Sequence, residues 1–374
     1  MVSIKQSGIF VRNLSIFILI LSVLIPLRYG SIDPEYLCIR CMHSLLSLTY
    51  TVIRDENRPT LSADYRAFET LLRLRSVYEL DPSADTTTVV KELRSLFTLA
   101  TIIPKPKSCQ IQKQIYNHQG HTVEAYWVNH RGTNEQPRTQ NILMYLHGGA
   151  YLAGDIHSYS GYGCYLSHLF NMSLIHVEYR LAPEHPLPRA VDDVVALYHA
   201  LLSENITSSQ IMIMGESAGG GLSLLTIQNL ISRHYAIPRC VVLVSPWTDL
   251  SSSGESYIRN RPADVLIRPE ILSWTIEQVL GDNHEQIKRD DPVYSPMFGS
   301  FERFPPMYIT VGTAEVLEDD SRHVFYKAKQ AGVEVTLEEG LHLAHAYPLF
   351  YPYYPEARNT LDNIKRWIKE KAIH

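Results

Sequence analysis

No stretch of this sequence is basic enough to attract nucleic acid: 34 Lys and Arg stand against 39 Asp and Glu, a formal net charge of −5. No cationic cluster falls on a recognition helix or an aromatic platform either. Cysteine is scarce. The five, Cys38, Cys41, Cys109, Cys164 and Cys240, are odd in number and scattered, so they spell no disulfide framework, although a pair remains open. Cys38 and Cys41 make a C-x-x-C, yet no second pair follows at metal-binding distance and the flanks are apolar and helix-like. They read as two small residues on a helix rather than a metal or redox site. Repeats and low-complexity tracts are absent. A composition of 45% hydrophobic and 20% charged residues is that of a globular chain, not a disordered one. The 374 residues suit one large domain or two small ones.

One apolar run is present, at residues 14–27, and it falls short of the roughly 20 residues a full membrane span needs. Lys5 and Arg12 precede it and Arg28 follows. Pro26-Leu27-Arg28-Tyr29-Gly30 is a poor cleavage site, so residues 1–30 read as an uncleaved anchor rather than a removed signal. The expectation is a single-pass protein of the endoplasmic reticulum membrane, with secretion as the alternative. Arg28 and Arg40 balance Lys5 and Arg12, so charge does not set the orientation. Sequons start at Asn13, Asn171 and Asn205, and the last two are usable on a lumenal domain.

Residues 31–104 form a second region, polar and helical in pattern from Ser62 to Leu99. Past Pro104 and Pro106 the order changes to alternating, β-like sequence. Short β-branched runs recur at residues 142–146, 174–179, 211–214, 241–244, 307–311 and 333–337, the pattern of buried parallel strands. Helical stripes lie between them. Val191, Val194, Val195, Tyr198, Leu201 and Leu202 share one face, as do Leu361, Ile364, Trp367 and Ile368. This alternation predicts a doubly wound, mostly parallel α/β sheet, whose ligands bind beyond the carboxyl ends of the strands.

The loops at those ends carry the chemistry. After residues 211–214 comes Gly215-Glu216-Ser217-Ala218-Gly219, a G-x-S-x-G between strand and helix, where a sharp turn exposes the serine hydroxyl. After residues 142–146 comes His147-Gly148-Gly149-Ala150-Tyr151. The amides of Gly148, Gly149 and Ala218 are candidate donors to a tetrahedral oxyanion, and His147 reads as a structural hydrogen-bonder. A serine needs a base, and imidazole titrates near the right pH. Two histidines compete in the last loop, His342 and His345, with His345 favoured because an aromatic residue and Phe350 behind it restart a helix. The orienting carboxylate is Glu315, the first acid past residues 307–311. Its rivals Asp319 and Asp320 suit the start of the next helix.

Five segments together resemble the hormone-sensitive-lipase family of α/β hydrolases, over about residues 105–370. They are His147-Gly148-Gly149, the stretch Tyr179 to Pro186, Gly215 to Gly219, Ser245-Pro246-Trp247-Thr248-Asp249-Leu250, and Gly312-Thr313-Ala314-Glu315-Val316-Leu317. The resemblance implies a triad of Ser217, Glu315 and His345, the histidine followed by x-aromatic-x-x-Phe. A second histidine, His342, departs from the family pattern. Also implied are a catalytic domain over residues 105–374, a cap built from N-terminal helices and an insertion at about 251–290, and structural roles for Arg180 and Glu184 as an ion pair. Anchored members resembling arylacetamide deacetylases and steryl acetyl hydrolases carry a similar N-terminal apolar segment. The expected activity is cofactor-free and metal-free hydrolysis of a small lipophilic ester, such as the acetyl ester of a sterol or specialised metabolite. An amidase or formamidase of the same fold and a non-catalytic ligand receptor are the alternatives.

Overall fold

The computed structural model describes residues 33–74, 85–96, 99–129 and 141–373. An eight-stranded sheet forms its centre, in the order β1 (Ile111–His118), β2 (His121–Val128), β4 (Ser173–Glu178), β3 (Ile142–Leu146), β5 (Ile211–Glu216), β6 (Cys240–Val244), β7 (Met307–Gly312) and β8 (Val335–Gly340). β1 and β2 form a hairpin, and β2 meets β4 antiparallel. The two hairpin residues, Gln119 and Gly120, both have positive φ, 51° and 83°, as the tight turn between right-twisted strands requires. From β4 to β8 every pairing is parallel.

The parallel strands are buried on both faces, and successive residues go to opposite cores because side chains alternate along a strand. Ile211, Ile213, Val241 and Leu243 join one core; Met212, Met214, Val242 and Val244 join the other. α5 (Arg189–Ser203) and α6 (Ala218–Ser232) cover the first face, with Val191, Val194, Tyr198 and Leu201 buried along one side of α5. α4 (Ile156–Phe170) and the final helix α10 (Pro355–Ile373) cover the second, where Leu361, Ile364, Trp367 and Ile368 are buried.

Within the polar stretch from Ser62 to Leu99 the described residues form two helices, α2 (Ala63–Leu74) and α3 (Thr86–Leu96). Before them, α1 (Pro34–Val52) starts at Asp33, whose carboxylate accepts from the amides of Glu35 and Tyr36. This is a conventional N-cap followed by proline at the first helical position. Cys38 and Cys41 lie on α1 and are unpaired. The last strand begins at Val335 rather than at Val333, because Gly332 turns the chain with φ 77°. The expected Arg180–Glu184 pair does not form. Arg180 bonds Asp193, its Nε 3.0 Å from both carboxylate oxygens, while Glu184 takes both terminal nitrogens of Arg94 at 2.7 and 2.8 Å. Among the described residues no helix is long and apolar enough to cross a membrane; the apolar run at 14–27 lies outside them.

One cross-link was not legible in the spacing: Cys109 and Cys164 form a disulfide across 55 residues. It ties the segment before β1 to α4, where Gly161 already packs so closely that a Cβ there would meet the Ile103 carbonyl oxygen at 1.9 Å. Closing a loop of this length stabilises a fold by about 2–4 kcal/mol, chiefly by restricting the unfolded chain. Cys109→Ser is therefore expected to lower the unfolding free energy by about that amount, read from urea denaturation followed by far-UV circular dichroism.

Candidate active site

Ser217 stands between β5 and α6 with φ 55° and ψ −122°, a strained conformation that costs about 1–3 kcal/mol. Backbone bonds hold it there. Its N–H donates to the Val244 carbonyl at 2.9 Å, and its carbonyl accepts from Trp247 at 2.8 Å, Gly220 at 3.0 Å and Gly221 at 3.1 Å. A Cβ on Gly219 would lie 2.0 Å from the Leu146 carbonyl oxygen, so this turn closes against the end of β3 only with glycine. Ala218 begins α6, and its N–H has no intrahelical acceptor.

The turn after β3 presses on the same serine: a Cβ on Gly148 would meet Glu216 Oε1 at 2.8 Å and Ser217 Cβ at 3.1 Å. Three consecutive residues here, Gly149, Ala150 and Tyr151, have positive φ. The Gly148 N–H does not face the substrate side. It donates to the buried carboxylate of Glu216, which also accepts from the Tyr145 hydroxyl. Gly148 is thereby removed from the expected set of oxyanion donors. The amides of Gly149 and Ala218 donate no hydrogen bond among the described residues, and they remain available. Burial pushes the Glu216 carboxyl up to about 7, against the hydrogen bonds from Tyr145 and Gly148 that hold it down. His147 is structural. Its Nδ1 bonds the Gly148 carbonyl at 2.7 Å, its own carbonyl accepts from the Tyr179 hydroxyl at 2.7 Å, and burial lowers its pKa to about 4.

Glu315 is fully buried in the turn after β7. Its Oε1 accepts from the Gly312 amide at 2.8 Å and from the Ser245 hydroxyl at 2.7 Å, and its Oε2 bonds His345 Nδ1. That bond leaves His345 Nε2 for another partner. Burial pulls the imidazole pKa down, but the charges of Glu315, Asp264 and Glu216 outweigh it and raise it above the usual value. Among the described residues no hydrogen bond joins Ser217 to His345; such contacts commonly tighten only with substrate bound. His342 is half-exposed with φ 61°, and its N–H donates to Thr313. Asp319 and Asp320 sit in the first turn of α9 (Glu318–Gln330). Asp320 binds the amides of Thr248 and Asp249 at 2.7 and 2.9 Å.

Ser245 is the residue that motif reading passed over. Besides donating to Glu315, its oxygen accepts the Ala346 N–H at 2.9 Å, and the carbonyl just before it holds the Ser217 amide. The Ser245 hydroxyl thus links the Glu315 and His345 loops, and the Val244 carbonyl beside it adds the Ser217 turn. The signal was present in Ser245-Pro246-Trp247, but nothing local showed which way the hydroxyl turns.

The sequence signature described as the alpha/beta hydrolase fold matches residues 143–349. The chain belongs to the α/β-hydrolase family. This hydrolase is 34% identical over 229 residues to an esterase of Acinetobacter venetianus, covering 61% of this chain and 75% of that one. It is 33% identical over 243 residues to an acetyl-hydrolase of Streptomyces hygroscopicus, covering 65% and 78%. An esterase of the bacterial hormone-sensitive lipase family superposes on it with a TM-score of 0.71 at 27% identity, over 83% of this chain and 99% of that one. The hydrolase is a member of the hormone-sensitive-lipase family and a serine hydrolase acting on ester bonds.

Ser245→Ala deprives a buried carboxylate of a donor and the Ala346 amide of its acceptor. Loss of a hydrogen bond to a charged group costs about 1.5–3 kcal/mol. Turnover of a short-chain aryl ester by this variant is expected to fall on the order of tenfold to a hundredfold, in kcat more than in KM.

Proposed function

We propose that the hydrolase cleaves a lipophilic carboxylic ester, foremost an acetyl ester of a sterol or specialised metabolite, through an acyl-enzyme on Ser217. The Glu315–His345 pair, held beside the strained Ser217 turn by Ser245, is the observation that carries this reading. The Ser217 oxygen attacks the acyl carbon while His345 Nε2 takes the hydroxyl proton. The carbonyl oxygen becomes an oxyanion facing the amides of Gly149 and Ala218, each worth roughly 3–4 kcal/mol to the transition state. Collapse breaks the ester bond, and His345 gives its proton to the departing alcohol. Water then adds to the acyl carbon with His345 taking its proton; the bond to the Ser217 oxygen breaks, His345 returns the proton to that oxygen, and the acid leaves. Glu315 orients the imidazole and stabilises its charged form.

The acetyl-hydrolase among the relatives supports the acetyl group. Half-buried apolar side chains in the insertion after β6, Leu266, Ile267, Leu272 and Trp274, support a lipophilic partner for it. Incubation with a panel of acetylated lipophiles, with acetate release as the readout, tests the substrate class; turnover confined to small water-soluble esters sinks it. Ser217→Ala is expected to abolish both turnover and covalent labelling by a fluorophosphonate, and undiminished turnover would overturn the mechanism. Because the base must start neutral and its pKa is raised, kcat/KM is expected to fall as pH drops through a value above 6.5, the ordinary histidine pKa.

For location, we infer an anchor at residues 14–27 in the endoplasmic reticulum membrane, with the remainder on the lumenal side. The Cys109–Cys164 disulfide supports an oxidising compartment. Asn171 and Asn205, the sequon asparagines of the folded domain, are both exposed. They close α4 and α5 at the amino ends of β4 and β5, the end of the sheet opposite Ser217, so glycans there leave the site open. Endoglycosidase treatment of the full chain from microsomes is expected to increase its gel mobility. An unchanged band together with extraction by alkaline carbonate would refute the location.

A further inference from the structure

The first part of the insertion after β6 is bonded to the acid-bearing loop more closely than a pocket wall requires. In α7 (Ser256–Arg259) the Ser256 hydroxyl donates to the Val316 carbonyl at 2.5 Å, and its amide donates to Asp319 at 2.7 Å. Arg259 reaches Glu318 at 2.6 Å and Asp319 at 3.2 Å. Two further bonds converge on a single peptide group. Asn260 Nδ2 donates to the Glu315 carbonyl at 2.8 Å, and the Val316 N–H donates to Asp264 Oδ2 at 2.9 Å. The plane that follows the Cα of Glu315 is therefore gripped at both polar atoms by side chains of the cap. Asn260 is itself 7% exposed and also donates to Glu318 at 2.9 Å. Asp264 is fixed by its other oxygen, which accepts from the amides of Leu266 at 2.8 Å and Ile267 at 2.9 Å.

We propose that Asn260 and Asp264 are positioning residues of the catalytic triad, aiming Glu315 by holding the two polar atoms of the peptide group that follows it. The proposal rests on Glu315 and His345 being the triad acid and base. A buried Glu315 has no solvent to re-aim it, so rotation of its peptide plane swings its carboxylate away from Nδ1, and small misplacements of catalytic groups are expensive. The charges acting on His345 come from three elements: Glu315 after β7, Asp264 in the cap and Glu216 at the end of β5. Arg259 and Arg261, the nearby cap cations, are engaged by Glu318, Asp319 and Glu270. Burial raises the pKa of Asp264 above the usual carboxylate value, against the pull of the His345 imidazole, which lowers it.

The full-length enzyme and the variants Asn260→Ala, Asp264→Asn and Asp264→Glu are compared across pH on one aryl ester, with Ser217→Ala as control. Asn260→Ala removes one of the two bonds and no charge: kcat is expected to fall about tenfold, the worth of a buried hydrogen bond within the site, with the acid limb of kcat/KM unmoved. Asp264→Asn removes the charge and leaves one acceptor oxygen for amides that two oxygens now serve: kcat falls similarly and the acid limb moves to lower pH, because the imidazolium loses a stabilising neighbour. Asp264→Glu keeps the charge and returns the limb toward its original position. Far-UV circular dichroism and the urea midpoint of each variant show that the fold is intact. An Asp264→Asn profile that superimposes on the parent's overturns the proposal, as does an Asn260→Ala kcat equal to the parent's. Activity remaining in Ser217→Ala would instead refute the triad beneath it.

Discussion

The site depends on one buried carboxylate. Glu315 has no exposed surface, and an ion taken out of water survives only where enough donors replace its hydration. Here the donors come from three places: the Gly312 amide in its own turn, the Ser245 hydroxyl at the end of β6, and the His345 ring in the final loop. Satisfying a single side chain thus forces three strand ends to converge. The Ser217 turn joins them through the Val244 carbonyl, one residue from Ser245. Convergence of the catalytic loops is in this sense a solvation requirement of Glu315 as much as a property of the sheet.

A second buried carboxylate shapes the neighbouring turn. Glu216 is 2% exposed and takes the Gly148 amide and the Tyr145 hydroxyl as donors. This bond fixes the glycine turn against Ser217, and it consumes one of the amides that the motif alone would assign to the oxyanion. What remains for the proposed oxyanion site are two amides, Gly149 from the β3 turn and Ala218 from the helix start. The helix contributes its unpaired N–H and the positive end of its dipole. The strain at Ser217 is offset by the bonds to Val244, Trp247, Gly220 and Gly221, none of which involves the reacting hydroxyl.

Much of this was legible in the sequence because it is local. Strands buried on both faces read as short apolar runs, so β3, β5, β6 and β7 stood where β-branched residues cluster between turns. The offsets of Ser217, Glu315 and His345 from those strands followed from the rule that sites lie past carboxyl ends. What stayed hidden was the choice among distant partners. Arg180 sits four residues from Glu184, yet the fold turns Glu184 outward to Arg94, 90 positions earlier, and gives Arg180 to Asp193. The Cys109–Cys164 bridge, the Gly148 amide, the Ser245 hydroxyl and the cap grip on residue 315 all join segments far apart in the chain, and no periodicity records them.

These constraints also divide the cap. Its first part is committed to the acid loop through Ser256, Arg259, Asn260 and Asp264. The end of α8 (Pro269–Leu280) is committed to the body of the fold, with Ile276, Val279 and Leu280 buried and the Val279 carbonyl accepting the Leu187 amide at 2.9 Å. Between these two attachments lie Leu266, Ile267, Leu272 and Trp274, apolar and only half-buried. A change at either attachment disturbs the acid loop or the core, whereas the four side chains between them pack against the cores on one side and keep a partly exposed apolar face on the other.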